Sequence, residues 1–237
     1  MQGKRVVVLT GAGISAESGI RTFRDNDGLW ENHRLEDVAT PEAWRIDPNL
    51  VWRFYQVRRR QLLEVRANPA HVALAQLAAG LDGMTLITQN VDDLHERGGS
   101  EDVVHMHGQL ATLRCEVSGR NEVRMNDDDL VDDFLFCSCC AAPARLRPDI
   151  VWFGEMPMHM EAIYTAVDAC EVFVVVGSSG HVYPAADLVH IAKANGAHTV
   201  LVNAEAPLNI EAFDEVHLGK AGELLPGLVQ AWLDVGI

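Results

Sequence analysis

The apolar run Val6–Leu9 passes through Thr10 straight into a glycine-rich segment, Gly11 to Arg24 (GAGISAESGIRTFR). A short β-branched run with no polar alternation reads as a strand covered on both faces, and a strand that ends in glycines commits the chain to a tight turn. In α/β proteins a turn of this kind receives the phosphates of a nucleotide. Gly11 and Gly13 are expected to adopt backbone angles barred to residues with a Cβ and to bring main-chain N–H groups close to a pyrophosphate. The spacing departs from the dinucleotide fingerprint, which would put its next glycine at Ala16, whereas the chain has Gly19. Three further polar blocks follow apolar runs: Gln89-Asn90-Val91-Asp92, His105-Met106-His107-Gly108 and Gly177-Ser178-Ser179.

The remaining apolar runs set the architecture. Met84–Thr88, Val172–Val176 and His198–Val202 are short and β-branched, and helical patterns occupy Ala70–Ala79, Met158–Ala169 and Ala185–Asn195, the last closed by Gly196. Such alternation predicts an α/β fold with a doubly wound parallel sheet, whose ligands bind beyond the carboxyl ends of the strands. Gln89, Asn90, Asp92, Gly177, Ser178, Ser179 and Asn203 all fall at those ends. Two stretches break the alternation, about 25–66 and about 109–147. They are expected to form a small helical and cysteine-bearing part inserted in a larger nucleotide-binding part made of about 1–24, 67–108 and 148–237. The first opens with a polar loop and continues into a helix over Leu50–Val65. The second carries an acidic run, Asp127–Asp133.

Charge narrows the partners. With 19 basic and 34 acidic residues among 237, the formal net charge is −15. A surface of that sign repels nucleic acid and attracts cationic, lysine-bearing segments. The N-terminal apolar run is too short for a signal peptide, and no run reaches the roughly 20 residues that span a bilayer. A cytoplasmic protein with reduced cysteines is therefore expected.

Cys137 and Cys140 stand at C-x-x-C spacing, as in half of a zinc ribbon. The other half is incomplete, because Cys115 is followed at the matching position by Ser118. Cys139 is a candidate replacement, although adjacent ligands should strain a tetrahedron. Loss of the metal and completion by water are the competing outcomes. Cys170, near the end of an amphipathic helix, reads as a buried apolar residue. Histidine is the side chain suited to proton abstraction near neutrality, and His107 stands before Gly108 with His105 as its rival. Tyr55 and Arg58, three apart on a helix, share a face and together match a carboxylate.

The four polar blocks, in this order, resemble those of the sirtuins, NAD-dependent protein lysine deacylases, along nearly the whole chain. The resemblance implies a Rossmann-like NAD domain with a smaller zinc-binding helical domain and a cleft between them. In that cleft Gly11, Ala12, Gly13, Ser15, Glu17, Phe23, Arg24, Trp30, Gln89, Asn90, Asp92, Gly177, Ser178, Ser179, Asn203, Glu205 and Ala221 would contact NAD. His107 would be the general base, with Asn90 orienting the ribose. Phe153, Gly154, Glu155 and Val182 would sandwich the substrate peptide as an added strand. Tyr55-Gln56-Val57-Arg58 matches the motif of the class III branch, which removes succinyl and malonyl groups, and Ala39 matches a small residue that leaves room for a longer acyl chain. Cys115, Cys137, Cys139 and Cys140 would hold zinc. The implied reaction consumes NAD. The acyl-lysine oxygen attacks the nicotinamide ribose, nicotinamide departs, and water completes release of lysine and an acyl ester of ADP-ribose. An ADP-ribosyltransferase and a non-catalytic NAD-sensing module are the rival readings. The oligomeric expectation is a monomer.

Overall fold

The computed structural model describes residues 3–20, 29–30, 33–124 and 130–235, with the backbone alone at 29–30 and 122–124. Its strands, in chain order, begin with β1 (Val6–Thr10), β2 (Leu29–Trp30), β3 (His33–Arg34), β4 (Met84–Thr88), β5 (Val104–His105) and β6 (Gly108–Cys115). They continue with β7 (Asn121–Arg124), β8 (Leu146–Ile150), β9 (Val172–Val176), β10 (His198–Asn203) and β11 (Glu215–Leu218). The helices are α1 (Leu35–Val38), α2 (Pro41–Ile46), α3 (Pro48–Glu64), α4 (Pro69–Gly80), α5 (Leu94–Arg97), α6 (Met160–Ala169), α7 (Leu188–Ala194) and α8 (Ala221–Asp234).

Six strands form one parallel sheet in the order β11-β10-β9-β1-β4-β5. Counting only these strands along the chain, the order is that of a doubly wound Rossmann sheet, whose direction of winding reverses between β1 and β9. Alternate residues of β1 serve opposite faces. Val6 and Val8 pack with Leu74, Leu77, Leu225 and Trp232 of α4 and α8. Val7 and Leu9 pack on the other side with Ile163, Val167, Leu188 and Val189 of α6 and α7. Each face is thus sealed by two helices, which is why the strands show no polar alternation.

A third apolar cluster joins Val38, Trp44, Trp52, Phe54 and Tyr55 to Leu110, Leu113, Cys115, Cys137 and Trp152. Its scaffold is a three-stranded antiparallel sheet, β7-β6-β8, together with α3. Helix α3 starts where Asp47 accepts a hydrogen bond from the Leu50 amide, with Pro48 in the first turn. It is docked on the cysteine-bearing stretch through Trp52 Nε1 and Gln56 Nε2, both donating to Val131 O at 3.0 and 2.9 Å.

Several expectations need adjustment. The stretch expected to be helical from Ala185 opens as a 3-10 turn, Ala185–Asp187, before α7, and α6 begins at Met160, after His159 at φ 61°. Gly196 does close α7, at φ +88°. The small edge strands β5 and β11 carry too few apolar residues to stand out in the sequence. Residues 127–129 of the acidic run lie outside the described residues, as do Phe23 and Arg24 and the side chain of Trp30.

Candidate active site at the sheet switch point

The turns after β1, β4 and β9 meet where the sheet reverses its winding. Gly11 has φ −126°, an angle open to any residue, and Gly13 also avoids the left-handed region. The expectation of special backbone angles there is corrected: close packing is what requires these glycines. A Cβ on Gly11 would lie 2.8 Å from Gly177 O, and one on Gly13 would lie 2.8 Å from Gly177 Cα. Their amides are also engaged, Gly11 N donating to Val176 O at 2.9 Å and Gly13 N to Gly177 O at 2.8 Å. Gly177, at φ +64°, is the residue in this contact whose backbone favours glycine.

Behind the turn runs a buried polar network whose directions can be worked out. The Asn68 amide, which can only donate, donates to His71 Nδ1 at 3.2 Å, so the His71 proton sits on Nε2 and faces Ser15 Oγ at 3.4 Å. Ser15 Oγ also accepts from Asn90 Nδ2 at 3.1 Å and donates to Asp92 Oδ2 at 3.1 Å. Asn90 Nδ2 donates in addition to Gly11 O, also at 3.1 Å. Asp92 Oδ1 accepts from the Leu94 amide at 3.2 Å, at the start of α5. Burial raises the Asp92 carboxyl above its ordinary range, against these hydrogen bonds. Gln89 Nε2 donates to Ser178 Oγ at 3.1 Å, tying the β4 and β9 turns together.

The two rival histidines divide the labour. His107 is partly buried and its Nδ1 lies 3.0 Å from Gln89 O, an acceptor, so that Nδ1 carries the proton and Nε2 is left as the basic nitrogen. Burial lowers its pKa below the usual histidine value. His105 is enclosed on both nitrogens, with Nδ1 3.4 Å from Asn90 O and Nε2 2.7 Å from Glu96 Oε1.

Residues 151–155 form the opposite wall. Val151 N donates to His107 O at 2.9 Å and Phe153 N donates to Ala39 O at 3.0 Å, so this stretch is strung between the histidine segment and the end of α1. Phe153 and Val182 are exposed, and Gly154 has φ +90°. Glu155, expected to face a peptide, is instead taken up by Arg147 at 2.7 and 2.9 Å and by Arg114 at 3.3 Å. Ala39 is buried at the foot of this wall, and Tyr55 lies beneath it with Arg58 one turn on. Burial pushes the Tyr55 phenol up to about 12, and the nearby Arg58 charge opposes this.

At the far end of the switch point, Asn203 Nδ2 donates to Ser178 O at 3.0 Å and to Glu205 O at 2.8 Å. Ser179 O accepts from His181 Nδ1 at 2.9 Å. Exposed Glu17 caps α8 by accepting from Gly222 N at 2.7 Å, beside the buried Ala221. Ala12 sits partly exposed at the head of the first turn.

The cysteines converge. The sulfurs of Cys115, Cys137, Cys139 and Cys140 all lie within 4.8 Å of one another. Cys140 Sγ is 3.7 Å from both Cys115 Sγ and Cys139 Sγ. Four sulfurs at the usual zinc distance would be about 3.8 Å apart on a tetrahedron, so the donor set fits zinc, and the sulfurs of the adjacent Cys139 and Cys140 stand at that spacing. Ser118 Oγ lies 3.1 Å from Cys139 Sγ: the extra cysteine reaches the place that Ser118 leaves without a thiol. Hydrogen bonds from Ser118 pull the Cys115 thiol down to about 6, which favours the thiolate a metal requires. Cys170 is buried apart from this group, with Sγ donating to Val167 O at 3.1 Å.

Sequence reading missed Thr10, His71 and His95. Thr10 and Thr88 join hydroxyls at 2.8 Å, and Thr10 Oγ1 lies 2.9 Å from His95 Nε2. The available signal was a histidine on an otherwise apolar helix face in Pro69-Ala70-His71-Val72-Ala73-Leu74.

A doubly wound sheet with buried polar side chains gathered at its switch point defines a nucleotide-binding α/β protein, here joined to a four-thiol module. The chain matches the Sir2 family over residues 11–184 and belongs to that family. It is 56% identical over 232 residues to the NAD-dependent protein deacylase of Yersinia pseudotuberculosis, covering 96% of this chain and 82% of that one. It is 52% identical over 236 residues to the protein of the same name from Salmonella typhimurium, covering 98% and 85%. A crystal structure of a Sir2 homologue in complex with NAD superposes with a TM-score of 0.87 at 38% identity, over 96% of this chain and 89% of that one. Among the described residues, no helix is long and apolar enough to cross a membrane.

Proposed function

We propose that this protein is an NAD-dependent protein lysine deacylase acting on acetyl and, through Tyr55 and Arg58, on succinyl and malonyl groups. The observation that carries the reading is the tautomer of His107. With Nδ1–H donated to Gln89 O, the ring offers Nε2 to a substrate proton, and its depressed pKa keeps that nitrogen free at neutral pH. NAD, when bound, supplies the electrophilic ribose carbon and the hydroxyl that accepts the acyl group.

The chain's own residues account for the rest. His107 takes the proton of the reacting hydroxyl. Asn90 orients the ribose while its amide is fixed by Gly11 O and Ser15 Oγ. Asp92, held by Ser15 and the Leu94 amide, meets the carboxamide of the departing group. Gly11, Ala12, Gly13, Gln89, Gly177, Ser178 and Ser179 form the floor for phosphate and ribose, and Asn203, Glu205 and Ala221 the adenosine end. Glu17 acts there by anchoring α8. Phe23, Arg24 and Trp30 are assigned to the cofactor from sequence alone. Phe153, Gly154 and Val182 receive the peptide backbone, so selectivity for the surrounding sequence should be loose. Zinc, held by Cys115, Cys137, Cys139 and Cys140, supports the three-stranded sheet without touching substrate. The acidic surface suits lysine-bearing protein substrates and not nucleic acid, and the reading is of a cytoplasmic monomer comprising one catalytic unit.

Mass spectrometry of acetyl-, malonyl- and succinyl-lysine peptides incubated with and without NAD tests the assignment. Arg58→Met should lower the efficiency on succinyl and malonyl peptides by about 10- to 100-fold, corresponding to the roughly 1.5–3 kcal/mol of a charge-assisted carboxylate contact, and should affect deacetylation far less. Tyr55→Phe should give a smaller loss with the same selectivity. Equal losses on both peptide types would show that this helix matters only for packing, and transfer of labelled ADP-ribose to unmodified protein would favour a transferase.

A further inference from the structure

Trp152 lies directly against the Tyr55 hydroxyl. Its indole is 2% exposed, and Nε1 donates to Tyr55 Oη at 3.0 Å across rings whose centroids are 6.5 Å apart. An indole carries one N–H and no acceptor, so the direction of this bond is fixed and the phenol oxygen is the acceptor. A hydroxyl that accepts from one side turns its own proton to another.

We propose that Trp152 is a specificity-determining positioning residue: by donating to Tyr55 Oη it sets the phenol as a hydrogen-bond donor toward the carboxylate of a succinyl or malonyl group. The inference rests on the reading of Tyr55 and Arg58 as the acyl-carboxylate site. It adds that the selectivity of this site depends on an indole N–H behind the phenol.

The surroundings of Trp152 hold the indole still. The Arg147 guanidinium carbon lies 3.3 Å from the ring centroid, and the Trp44 ring stands 5.8 Å away. Arg147 is itself fixed by the two bonds to Glu155 and by donation from Nη2 to Ile150 O at 2.9 Å. Glu155 Oε2 also accepts from the Trp152 amide at 2.8 Å, so one carboxylate fixes both the backbone of Trp152 and the cation beneath its ring. This gives Glu155 a purpose other than peptide contact. Accepting the indole proton polarises the phenol and strengthens its O–H as a donor. Burial holds the Tyr55 pKa at about 12, so the donated proton persists at neutral pH. Phenylalanine at 152 would preserve an aromatic ring over Arg147 and lack the donor.

Steady-state kcat and KM on succinyl-, malonyl- and acetyl-lysine peptides at saturating NAD test this in the wild type, Tyr55→Phe, Trp152→Phe and the double variant. A fifth protein carries β-(3-benzothienyl)alanine at position 152, which keeps the indole shape and deletes only the N–H, and so stands in should Trp152→Phe fold poorly. The expected result is a rise of about fivefold in succinyl KM for either replacement, with kcat little changed and the succinyl-to-acetyl efficiency ratio lowered to match. In the Tyr55→Phe background the replacement at 152 should add nothing. Full selectivity in the benzothienyl protein, equal losses on acetyl and succinyl peptides, or additive losses in the double variant would each overturn the proposal. If Tyr55→Phe leaves the ratio untouched, the carboxylate reading itself fails; if Tyr55→Phe lowers the ratio and the changes at 152 do not, only the role of Trp152 fails.

Discussion

Two histidines separated by one residue meet consecutive carbonyls, His107 at Gln89 O and His105 at Asn90 O, yet they differ in what they have left to offer. His105 has a carbonyl on one nitrogen and the Glu96 carboxylate on the other, so it keeps no nitrogen for a substrate. His107 keeps Nε2. Replacing His107 by Ala should therefore lower the deacylation rate by about 10²- to 10⁴-fold, the usual contribution of a general base, while NAD affinity by calorimetry changes little. A variant that turns over normally, with His105→Ala inactive, would reverse the assignment. The pH profile carries a second check. Burial makes protonation of His107 harder, so the neutral base survives to lower pH and the acid limb of kcat/KM should fall below about 6.5. An acid limb above pH 7 would point to a different group. The sequence marked His107 because a glycine follows it, but the deciding facts, the carbonyls just after β4 and the Glu96 carboxylate that occupies the second nitrogen of His105, were invisible there.

Among the elements, the three-stranded sheet is the one built beside the four-cysteine cluster that fits zinc. Its hairpin end is held by Cys115, and the stretch that receives α3 at Val131 leads directly into Cys137, Cys139 and Cys140. Purified protein should contain about one zinc per chain, and Cys139→Ser should lower that content by mass spectrometry or atomic absorption, since it removes the sulfur that compensates for Ser118. Zinc content unchanged in Cys139→Ser would mean that three cysteines and another ligand suffice. Chelation should lower the melting temperature before it alters peptide selectivity, because a metal held by these cysteines would stabilise the sheet without touching substrate. The elements themselves were largely legible. The β-branched runs of the parallel sheet, α3, α4 and Gly196 follow from pattern and capping chemistry. The closure of the cysteine cluster did not, because ribbon spacing describes a chain and the fit of adjacent Cys139 and Cys140 depends on where their side chains turn.

At the scale of the molecule, the buried histidines couple stability to pH. Burial lowers His71 to about 4 and His95 to about 3, the latter helped by the neighbouring His71 and His105. Their rings stand edge to face, 5.0 Å apart, beneath the glycine-rich turn. Both bind protons more readily in the unfolded chain, near 6.5. Stability is therefore complete above that value and lost as pH falls toward 4, at about 1.4 kcal/mol per pH unit for each histidine. Thermal melts between pH 7.5 and 4.5 should show this slope, and His95→Gln should flatten it even if it lowers stability at neutrality. A variant slope equal to the wild type would assign the acid sensitivity to other groups.

The fastening of Gly11 and Gly13 to Val176 and Gly177 has a thermodynamic consequence for cofactor capture. On the proposed reading of this turn as the floor for the pyrophosphate, that floor is set when the sheet folds, since the same hydrogen bonds that join β1 to β9 hold the turn in place. Association with NAD then forfeits little backbone entropy there. Widening this contact by placing a methyl group at Gly13 should act as a fault in the foundation, weakening ADP-ribose and NAD by the same factor because both rest on the one floor.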